Sequence, residues 1–328
     1  MQIYVNGQKE EVAPNQSLLQ WLAASGLRAE GVAVGLNGRV LQPGEDVCFQ
    51  EGDRIDLVRP MGGGSDEDPL ILAGTPLASR LFVGTGKYGD LGVMQETLDA
   101  ADPGLVTMAV RAIQPGESGP NLLDALDRSR YRLLPNTAGS TTAAQAIYLA
   151  QLARVATGTC WIKLEIVGDA QTLWPDTQAT LEATRELVAQ GFVVLAYTST
   201  DLVAALRLQE AGAAAVMPLA APIGTGQGLT DWVGIRRILS RLEVPVVVDA
   251  GLGLPSEAAA AMEMGAAAVL VNSALAYARR PAAMAKAFRL AVQAGRGAFL
   301  AGRMPVRNDA EPSSPMTGIP NPSEKRPS

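Results

Sequence analysis

The sequence has no histidine and only two cysteines among its 328 residues. Histidine is the commonest metal ligand and the commonest acid–base side chain, so any catalysis must use Lys, Asp, Glu, Tyr, Cys or Ser. Cys48 and Cys160 form neither a disulfide framework nor a metal cluster, and Cys160 borders an apolar run, which is typical of a buried, inert thiol. We therefore expect no structural metal.

Long apolar runs and an excess of positive charge are also missing. Hydrophobic residues make up 48% of the chain, but charged residues interrupt every run before the roughly 18 residues of a membrane span. Residues 1–5 alternate like a strand and lack the pattern of a signal peptide. The net charge of −6 argues against nucleic acid, whose phosphates need a basic surface. We expect a cytoplasmic protein that binds neither membranes nor nucleic acid.

The first 60 residues predict a small α/β module. A hairpin over 3–12 turns at Asn6-Gly7, and a helix over 17–24 begins with Ser17 as a candidate N-cap. A second hairpin over 32–40 and a last strand over 54–58 follow. This order of elements is that of a β-grasp, or ubiquitin-like, fold.

A glycine-rich joint follows this module. Gly62-Gly63-Gly64 precedes the acidic stretch Ser65-Asp66-Glu67-Asp68-Pro69, and taken alone the three glycines indicate a flexible linker. A β-grasp module that ends in diglycine also resembles the sulfur carriers of thiamin biosynthesis, whose terminal carboxylate becomes a thiocarboxylate. On that resemblance, residues 1–64 are a carrier with Gly63 and Gly64 as its tail, and 65–69 are a linker.

From Leu70 the pattern changes to short apolar runs separated by helical stretches, at intervals of roughly 25 to 30 residues. Eight strands are predicted, over 81–83, 105–110, 131–134, 161–166, 192–197, 214–217, 244–248 and 267–271. Eight strand–helix units predict a (β/α)8 barrel over residues 70–303, with an open doubly wound sheet as the alternative. Residues 304–328 are rich in Pro, Ser and charge, which is typical of a mobile tail.

The fourth barrel strand carries two charged residues at alternate positions, Lys163 and Glu165. If the apolar residues between and beside them face the helices, both charges face the barrel interior. Desolvation there would lower the pKa of the lysine and increase the fraction of free amine, which suits attack on a carbonyl to form a Schiff base. A structural ion pair of Lys163 with Glu165, and with Asp249 from strand seven, is the alternative.

Glycine-rich segments follow the last three strands, where barrels commonly hold phosphate with backbone N–H groups. These segments are Gly224 to Gly228, Gly251 to Gly253 and the end at Asn272-Ser273. Each is weak evidence alone, because the chain has 34 glycines, but their shared placement predicts a phosphate site. Asp249, directly before the second segment, is either a carboxylate for proton transfer or a cap for the next helix.

Four segments together resemble the motifs of thiazole synthases, in order and in spacing. They are Leu134-Pro135-Asn136-Thr137-Ala138-Gly139, Ile162-Lys163-Leu164-Glu165, Pro222-Ile223-Gly224-Thr225-Gly226-Gln227-Gly228 and Val248-Asp249-Ala250-Gly251. The resemblance covers about residues 70 to 310.

The resemblance implies an enzyme that joins 1-deoxy-D-xylulose 5-phosphate, 2-iminoacetate (dehydroglycine) and carrier sulfur into a thiazole phosphate. It implies no bound cofactor, a homo-oligomer, a carrier-adenylating enzyme and a sulfur donor. Lys163 would form the imine, with Glu165 and Asp249 as acid–base groups. The sugar phosphate would be bound by Gly224, Ala250, Gly251, Asn272 and Ser273, where the last replaces an expected threonine and keeps the hydroxyl.

The joint departs from the carrier pattern, because the carbonyl after Gly64 is an amide and cannot be adenylated. Either a protease cuts after Gly63 or Gly64, or a separate carrier supplies sulfur. Two rival functions keep part of the pattern: another Schiff-base sugar-phosphate barrel, such as a pyridoxal-type synthase or an aldolase, and a non-enzymatic scaffold with a ubiquitin-like head.

Overall fold

The computed structural model describes residues 1–5, 8–13, 16–24, 33–42, 45–58, 68–112, 122–128 and 130–313. The predicted Asn6-Gly7 turn, the glycine tail and most of the predicted linker lie outside the described residues. Within them, no helix is long and apolar enough to cross a membrane.

The N-terminal module is a five-stranded sheet with one helix. The sheet order is β2-β1-β5-β3-β4, in which β1 and β5 are parallel neighbours and the other pairs are antiparallel. This arrangement confirms the predicted β-grasp fold. The elements are β1 (Gln2–Val5), β2 (Gln8–Glu11), α1 (Leu18–Ala24), β3 (Ala33–Leu36), β4 (Arg39–Val40) and β5 (Arg54–Val58).

Local sequence signals explain this module. Ser17 and Gln20 exchange hydrogen bonds at the start of α1, each backbone N–H donating to the other side chain, as the predicted cap requires. Asn37 and Gly38 both have positive φ, 51° and 82°, which is the conformation of a tight hairpin turn. The apolar side of α1 packs on the sheet, and Trp21 meets Phe49 edge to face at 6.0 Å.

The second part is a ring of eight parallel strands in the order β15-β14-β11-β10-β9-β8-β17-β16. Parallel bridges join the end strands β15 and β16, which closes the ring and overturns the open-sheet alternative. The strands are β8 (Leu81–Gly84), β9 (Leu105–Ala109), β10 (Leu133–Asn136), β11 (Trp161–Leu164), β14 (Val193–Thr198), β15 (Ala215–Pro218), β16 (Val247–Val248) and β17 (Ala268–Val271).

Helices surround this barrel, and several begin at an aspartate whose side chain accepts a backbone N–H of the first turn, as Asp90 and Asp176 do. A small hairpin that the sequence analysis did not predict, β12 (Val167–Asp169) and β13 (Trp174–Pro175), follows β11. The helices are α2 (Leu91–Ala101), α3 (Ala143–Thr157), α4 (Thr177–Ala189), α5 (Leu202–Glu210), α6 (Trp232–Arg241), α7 (Pro255–Glu263), α8 (Ser273–Ala276) and α9 (Pro281–Ala301), with a 3₁₀ turn at Val110–Ala112.

The N-terminal end of the barrel is plugged by a second unpredicted hairpin, β6 (Leu70–Leu72) and β7 (Thr75–Leu77). Its turn uses positive φ at Ala73 and Gly74, 47° and 72°. Its leucines join a buried cluster with the residues that begin the barrel strands, among them Trp161 and Leu105. This end of the barrel is therefore filled with apolar side chains.

An ion-pair network fixes the chain just before the plug. The carboxylate of Asp68 lies 2.6 Å from Arg296 on α9 and 2.9 Å from Arg80, which precedes β8. Arg80 also donates to the carbonyl oxygen of Ala267, the residue before β17. Asp68 is thus held at the end of the barrel where the strands begin.

Candidate active site

A cavity of about 700 Å³ opens at the opposite end, where the barrel strands finish. All eight residues that the sequence analysis placed in the barrel site line it, so the fold brings them together from four strands and the loops behind them. The lining includes Gly84, Thr85, Gly86, Lys87, Thr107, Asn136, Lys163, Glu165, Gly224, Gly226, Asp249, Ala250, Gly251, Leu254, Asn272, Ser273, Tyr277 and Met284.

The charged centre of the cavity is a lysine between two carboxylates. The Nζ of Lys163 lies 2.6 Å from Oδ2 of Asp249 and 3.5 Å from Oε2 of Glu165. All three side chains are buried, with 5%, 1% and 7% of the residue surface exposed for Lys163, Asp249 and Glu165. The alternation on β11 explains the inward charges, because Ile162 and Leu164 pack outward in the cluster that contains α3 and α4.

The electrostatics of this centre correct one expectation. Burial disfavours the ammonium of Lys163, but the negative charges of Asp249 and Glu165 outweigh it, so its pKa is raised rather than lowered. Burial, with the nearby charge of Asp249, raises the pKa of Glu165 despite the opposing attraction of Lys163. In the resting site the lysine is therefore protonated, and two carboxylates compete for its proton.

Two further residues contact this centre, Tyr197, which the sequence analysis did not single out, and Thr137, which follows the third barrel strand. The ring of the fully buried Tyr197, on β14, lies 5.4 Å from Nζ of Lys163, a cation–π contact, and its hydroxyl has no partner among the described residues. The hydroxyl of Thr137 donates to the carbonyl oxygen of Glu165 and accepts its N–H, both at 2.9 Å. Alternation on β14, which puts Tyr197 on the inner face with Leu195, was the available signal for the tyrosine.

The predicted phosphate residues form one wall of the cavity. Gly224, Ala250 and Gly251 have φ of 78°, 56° and 70°, and a side chain at Gly251 would lie within 2.6 Å of Ala221. Ser273 begins α8, and its hydroxyl lies 3.7 Å from the point where a Cβ atom would stand if Gly224 carried a side chain. The backbone N–H groups of Gly224, Gly251 and Ser273 donate to no acceptor among the described residues. Unpaired N–H groups in one wall suit an anion.

Three further polar residues lie at or after the ends of barrel strands: Lys87 after β8, Arg111 after β9 and Thr198 at the end of β14. Lys87 lines the cavity with φ of 76° and is exposed, whereas Thr198 is buried and Arg111 is exposed beside Gly139, and neither lines the cavity. Asp249 is not the cap of α7, which begins after Leu254. Its Oδ1 accepts the N–H of Ala250 at 2.7 Å, which turns Oδ2 toward the lysine. The helix-cap alternative for Asp249 is therefore wrong.

This arrangement defines a class: a (β/α)8 barrel with a buried lysine, flanking carboxylates and a glycine-rich wall with backbone N–H groups facing no protein acceptor in the described part of the chain, at the C-terminal ends of the strands. Comparison with known protein families supports both the barrel and the N-terminal module. The profile described as "Thiazole biosynthesis protein ThiG" matches residues 71–315, and that of the "ThiS family" matches residues 3–64.

Individual relatives agree as well. A thiazole synthase of Paramagnetospirillum magneticum is 40% identical over 323 residues, 97% of this chain and 100% of that protein. One of Methylococcus capsulatus is 48% identical over 81% of this chain and 99% of its own length. The crystal structure of the Amycolatopsis orientalis BexX/CysO complex contains a chain that is 32% identical, with a TM-score of 0.66 over 74% of this chain and 99% of that one.

The chain belongs to the thiazole synthase family and carries a ThiS-family module at its N-terminus. It is a thiazole synthase of thiamin biosynthesis, an enzyme, which excludes the non-enzymatic scaffold.

Proposed function

We propose that the cavity condenses 1-deoxy-D-xylulose 5-phosphate, 2-iminoacetate and thiocarboxylate sulfur into a thiazole phosphate carboxylate through an imine on Lys163. The observation that carries this proposal is the buried Nζ of Lys163, which lies between the carboxylates of Asp249 and Glu165 inside the cavity. A lysine needs a neutral amine to attack a ketone, and here a proton acceptor lies within 2.6 Å of the amine.

Glu165 and Asp249 are proposed as the acid–base pair. Transfer of the lysine proton to either carboxylate frees the amine, and the resulting carboxylic acid can protonate the departing hydroxyl when the imine forms. The cationic imine makes neighbouring C–H bonds acidic, so a carboxylate can then move the carbonyl along the sugar chain to the carbon that sulfur attacks. The raised pKa of Glu165 favours it as the carboxyl that holds a proton during this cycle.

The sugar phosphate is proposed to bind at the wall of Gly224, Ala250, Gly251, Asn272 and Ser273. Support comes from the backbone N–H groups of Gly224, Gly251 and Ser273, which have no acceptor among the described residues, and from the hydroxyl of Ser273 beside Gly224. The residues of this wall follow β15, β16 and β17, the last three barrel strands in the chain. Barrels of this kind commonly bind phosphate at this position.

The N-terminal module, residues 1–64, is proposed as the sulfur carrier, with its functional end at Gly63 or Gly64. Adenylation by a partner enzyme needs a carboxylate, and the intact chain has an amide there, so a protease must cut after Gly63 or Gly64, next to the acidic linker 65–69, before the module can carry sulfur. The solved relative was crystallised as a complex of BexX with CysO, which agrees with a barrel that receives a second protein.

The test is synthesis of product by the purified protein. The protein would be supplied with the sugar phosphate, 2-iminoacetate and a carrier thiocarboxylate, and the product would be followed by mass spectrometry. We expect a thiazole phosphate carboxylate that disappears when any one of the three reactants is omitted. Turnover without sulfur, or a product without the ring, would favour a different Schiff-base barrel enzyme.

A further inference from the structure

Arg111 lies beside the charged centre and has no role yet in the proposed reaction. It follows β9, and its guanidinium lies against the backbone of Gly139, which follows β10. A Cβ atom at Gly139 would stand 2.5 Å from Cζ of Arg111, and the φ of Gly139 is positive, 86°. Both features favour glycine, so the backbone at this position is shaped to accept the guanidinium.

The loop that carries Gly139 runs beside Glu165 at the cavity. Thr137 exchanges hydrogen bonds with both backbone groups of Glu165, and Ala138, the residue before Gly139, lines the cavity. Burial raises the pKa of Glu165, and nearby positive charges, that of Arg111 among them, oppose the rise. The guanidinium therefore lies at the edge of the cavity, within electrostatic range of the charged centre.

The side chain of Arg111 is exposed. In the part of the chain that the structure describes, no aspartate or glutamate forms an ion pair with it. An exposed guanidinium of this kind presents a planar fork of N–H donors, and that fork matches the geometry of a carboxylate. Arg111 is thus suited to bind a carboxylate at the cavity edge.

Arg111 and the proposed phosphate wall lie on opposite sides of the barrel. The wall follows β15, β16 and β17, whereas Arg111 and Gly139 follow β9 and β10. Around the ring, β10 is separated from β16 by β15, β14 and β11 in one direction and by β17, β8 and β9 in the other. The arrangement suits a bound molecule with two anionic ends, one for each side.

The proposed reaction yields such a molecule, because the phosphate of its product comes from the sugar and the carboxylate comes from 2-iminoacetate. We infer that Arg111 binds the carboxylate of 2-iminoacetate and of the thiazole formed from it, and so selects a reactant with a carboxylate. The carrier thiocarboxylate suits this position less, since it gives up its sulfur and leaves, whereas the carboxylate of 2-iminoacetate stays charged from binding to product. The inference rests on the proposed function, which supplies 2-iminoacetate as the reactant.

A comparison of an acid with its amide tests this inference. Wild type and Arg111→Met would be given the sugar phosphate, a carrier thiocarboxylate and ammonia with either glyoxylate or glyoxylamide, which form the corresponding imines in solution. Wild type should use the acid about tenfold or more efficiently than the amide, because the amide carries no charge. In Arg111→Met the half-saturating concentration of the acid should rise about 10- to 100-fold, and the preference for the acid should disappear. Arg111→Lys keeps the charge without the fork and should lie between the two.

Borohydride trapping of the sugar phosphate on Lys163 shows whether the centre of each variant is intact. Trapping, and the half-saturating concentration of the sugar phosphate, should be unchanged in Arg111→Met. The matched control, Arg207→Met, changes an exposed arginine on α5 that does not line the cavity and should behave as wild type throughout.

Four results would overturn the inference. They are an unchanged half-saturating concentration of the acid in Arg111→Met, loss of trapping in that variant, an effect on the carrier thiocarboxylate alone, and loss of the acid preference in Lys87→Met instead. If wild type neither traps the sugar phosphate nor makes product, the proposed function itself fails, and this inference fails with it.

Discussion

The two ends of the barrel are built from the same strands and have opposite contents. At the strand starts, side chains such as Trp161 and Leu105 meet the leucines of the β6–β7 plug in a buried apolar cluster. Two residues further along β11, Lys163 replaces that apolar filling with charge, and the cavity begins. The four-residue strand β11 thus contributes to the apolar core with Trp161 and to the charged centre with Lys163.

The difference separates stability from reactivity. Apolar burial at the plugged end stabilises the barrel, at about 25 cal/mol per Å² of apolar surface buried, and this supports a charged centre at the open end that costs free energy to bury. Substitutions at the open end should change activity without changing the free energy of unfolding. Substitutions at the plugged end should lower the free energy of unfolding without changing the chemistry. The following predictions test that division.

The largest effect is expected for Lys163→Arg. The guanidinium keeps the positive charge between Asp249 and Glu165 but stays protonated, so it cannot act as a nucleophile. Product formation should fall by about 10³-fold or more, and borohydride should no longer link the sugar phosphate to the protein. Lys286→Arg on the exposed side of α9 is the matched control and should keep both activities.

The next largest effect is expected for Glu165→Gln and Asp249→Asn. If these carboxylates move protons after the imine forms, each variant should still trap the sugar phosphate but make product about 10²- to 10⁴-fold more slowly. Each change also removes a negative charge near the lysine, so the pKa of Lys163 should fall and trapping should extend to lower pH. Wild-type turnover in both variants would instead support the alternative that Lys163, Glu165 and Asp249 form a purely structural ion-pair cluster.

At the plugged end, Leu72→Ala should act on stability alone. Leu72 is fully buried in the plug, and a leucine-to-alanine change in a core costs about 2–5 kcal/mol. Urea denaturation should show this loss, while borohydride trapping on Lys163 at low denaturant should be unchanged. A loss of trapping in the folded variant would mean that the two ends are coupled.

A smaller effect is expected for Asp68→Asn, about 1–2 kcal/mol, because the hydrogen bonds to Arg296 and Arg80 lose their charge. Hydrogen bonds from Arg296 hold the pKa of Asp68 below its ordinary value. The folded pKa is thus below the unfolded one, so this stability is present above pH about 4 and is lost as pH falls through the folded pKa. Denaturation of wild type and variant should converge in acid, and a pH-independent difference would contradict this account.

Much of the barrel could be predicted from its sequence, because strands that are buried on both faces appear as short apolar runs, and all eight predicted runs correspond to barrel strands. The ends of the strands differ from the prediction where backbone pairing determines them. The strand predicted to end at Ile166 ends at Leu164, and Val167 pairs in a separate hairpin. The plug hairpin was missed because three-residue strands carry little pattern, and its turn at Ala73 uses a conformation that alanine rarely adopts.

The inward direction of Lys163 and Glu165 followed from alternation on one strand, which is local. The direction of the lysine pKa did not, because it depends on Asp249, which comes from a strand 86 residues further along the chain and lies 2.6 Å away only in the fold. The inner position of Tyr197 could also be read from alternation on β14, but its contact with Lys163 depends on the fold. Burial could be foreseen from the strand, but the partners that decide the charge state are tertiary.

The central claim, that Lys163 forms the imine, is tested most directly by mapping the adduct. The wild-type protein would be mixed with 1-deoxy-D-xylulose 5-phosphate, reduced with borohydride, digested and analysed by mass spectrometry. The account predicts one sugar-phosphate adduct, on Lys163. An adduct on Lys87, the exposed lysine that also lines the cavity, or no adduct under conditions of turnover, would contradict it.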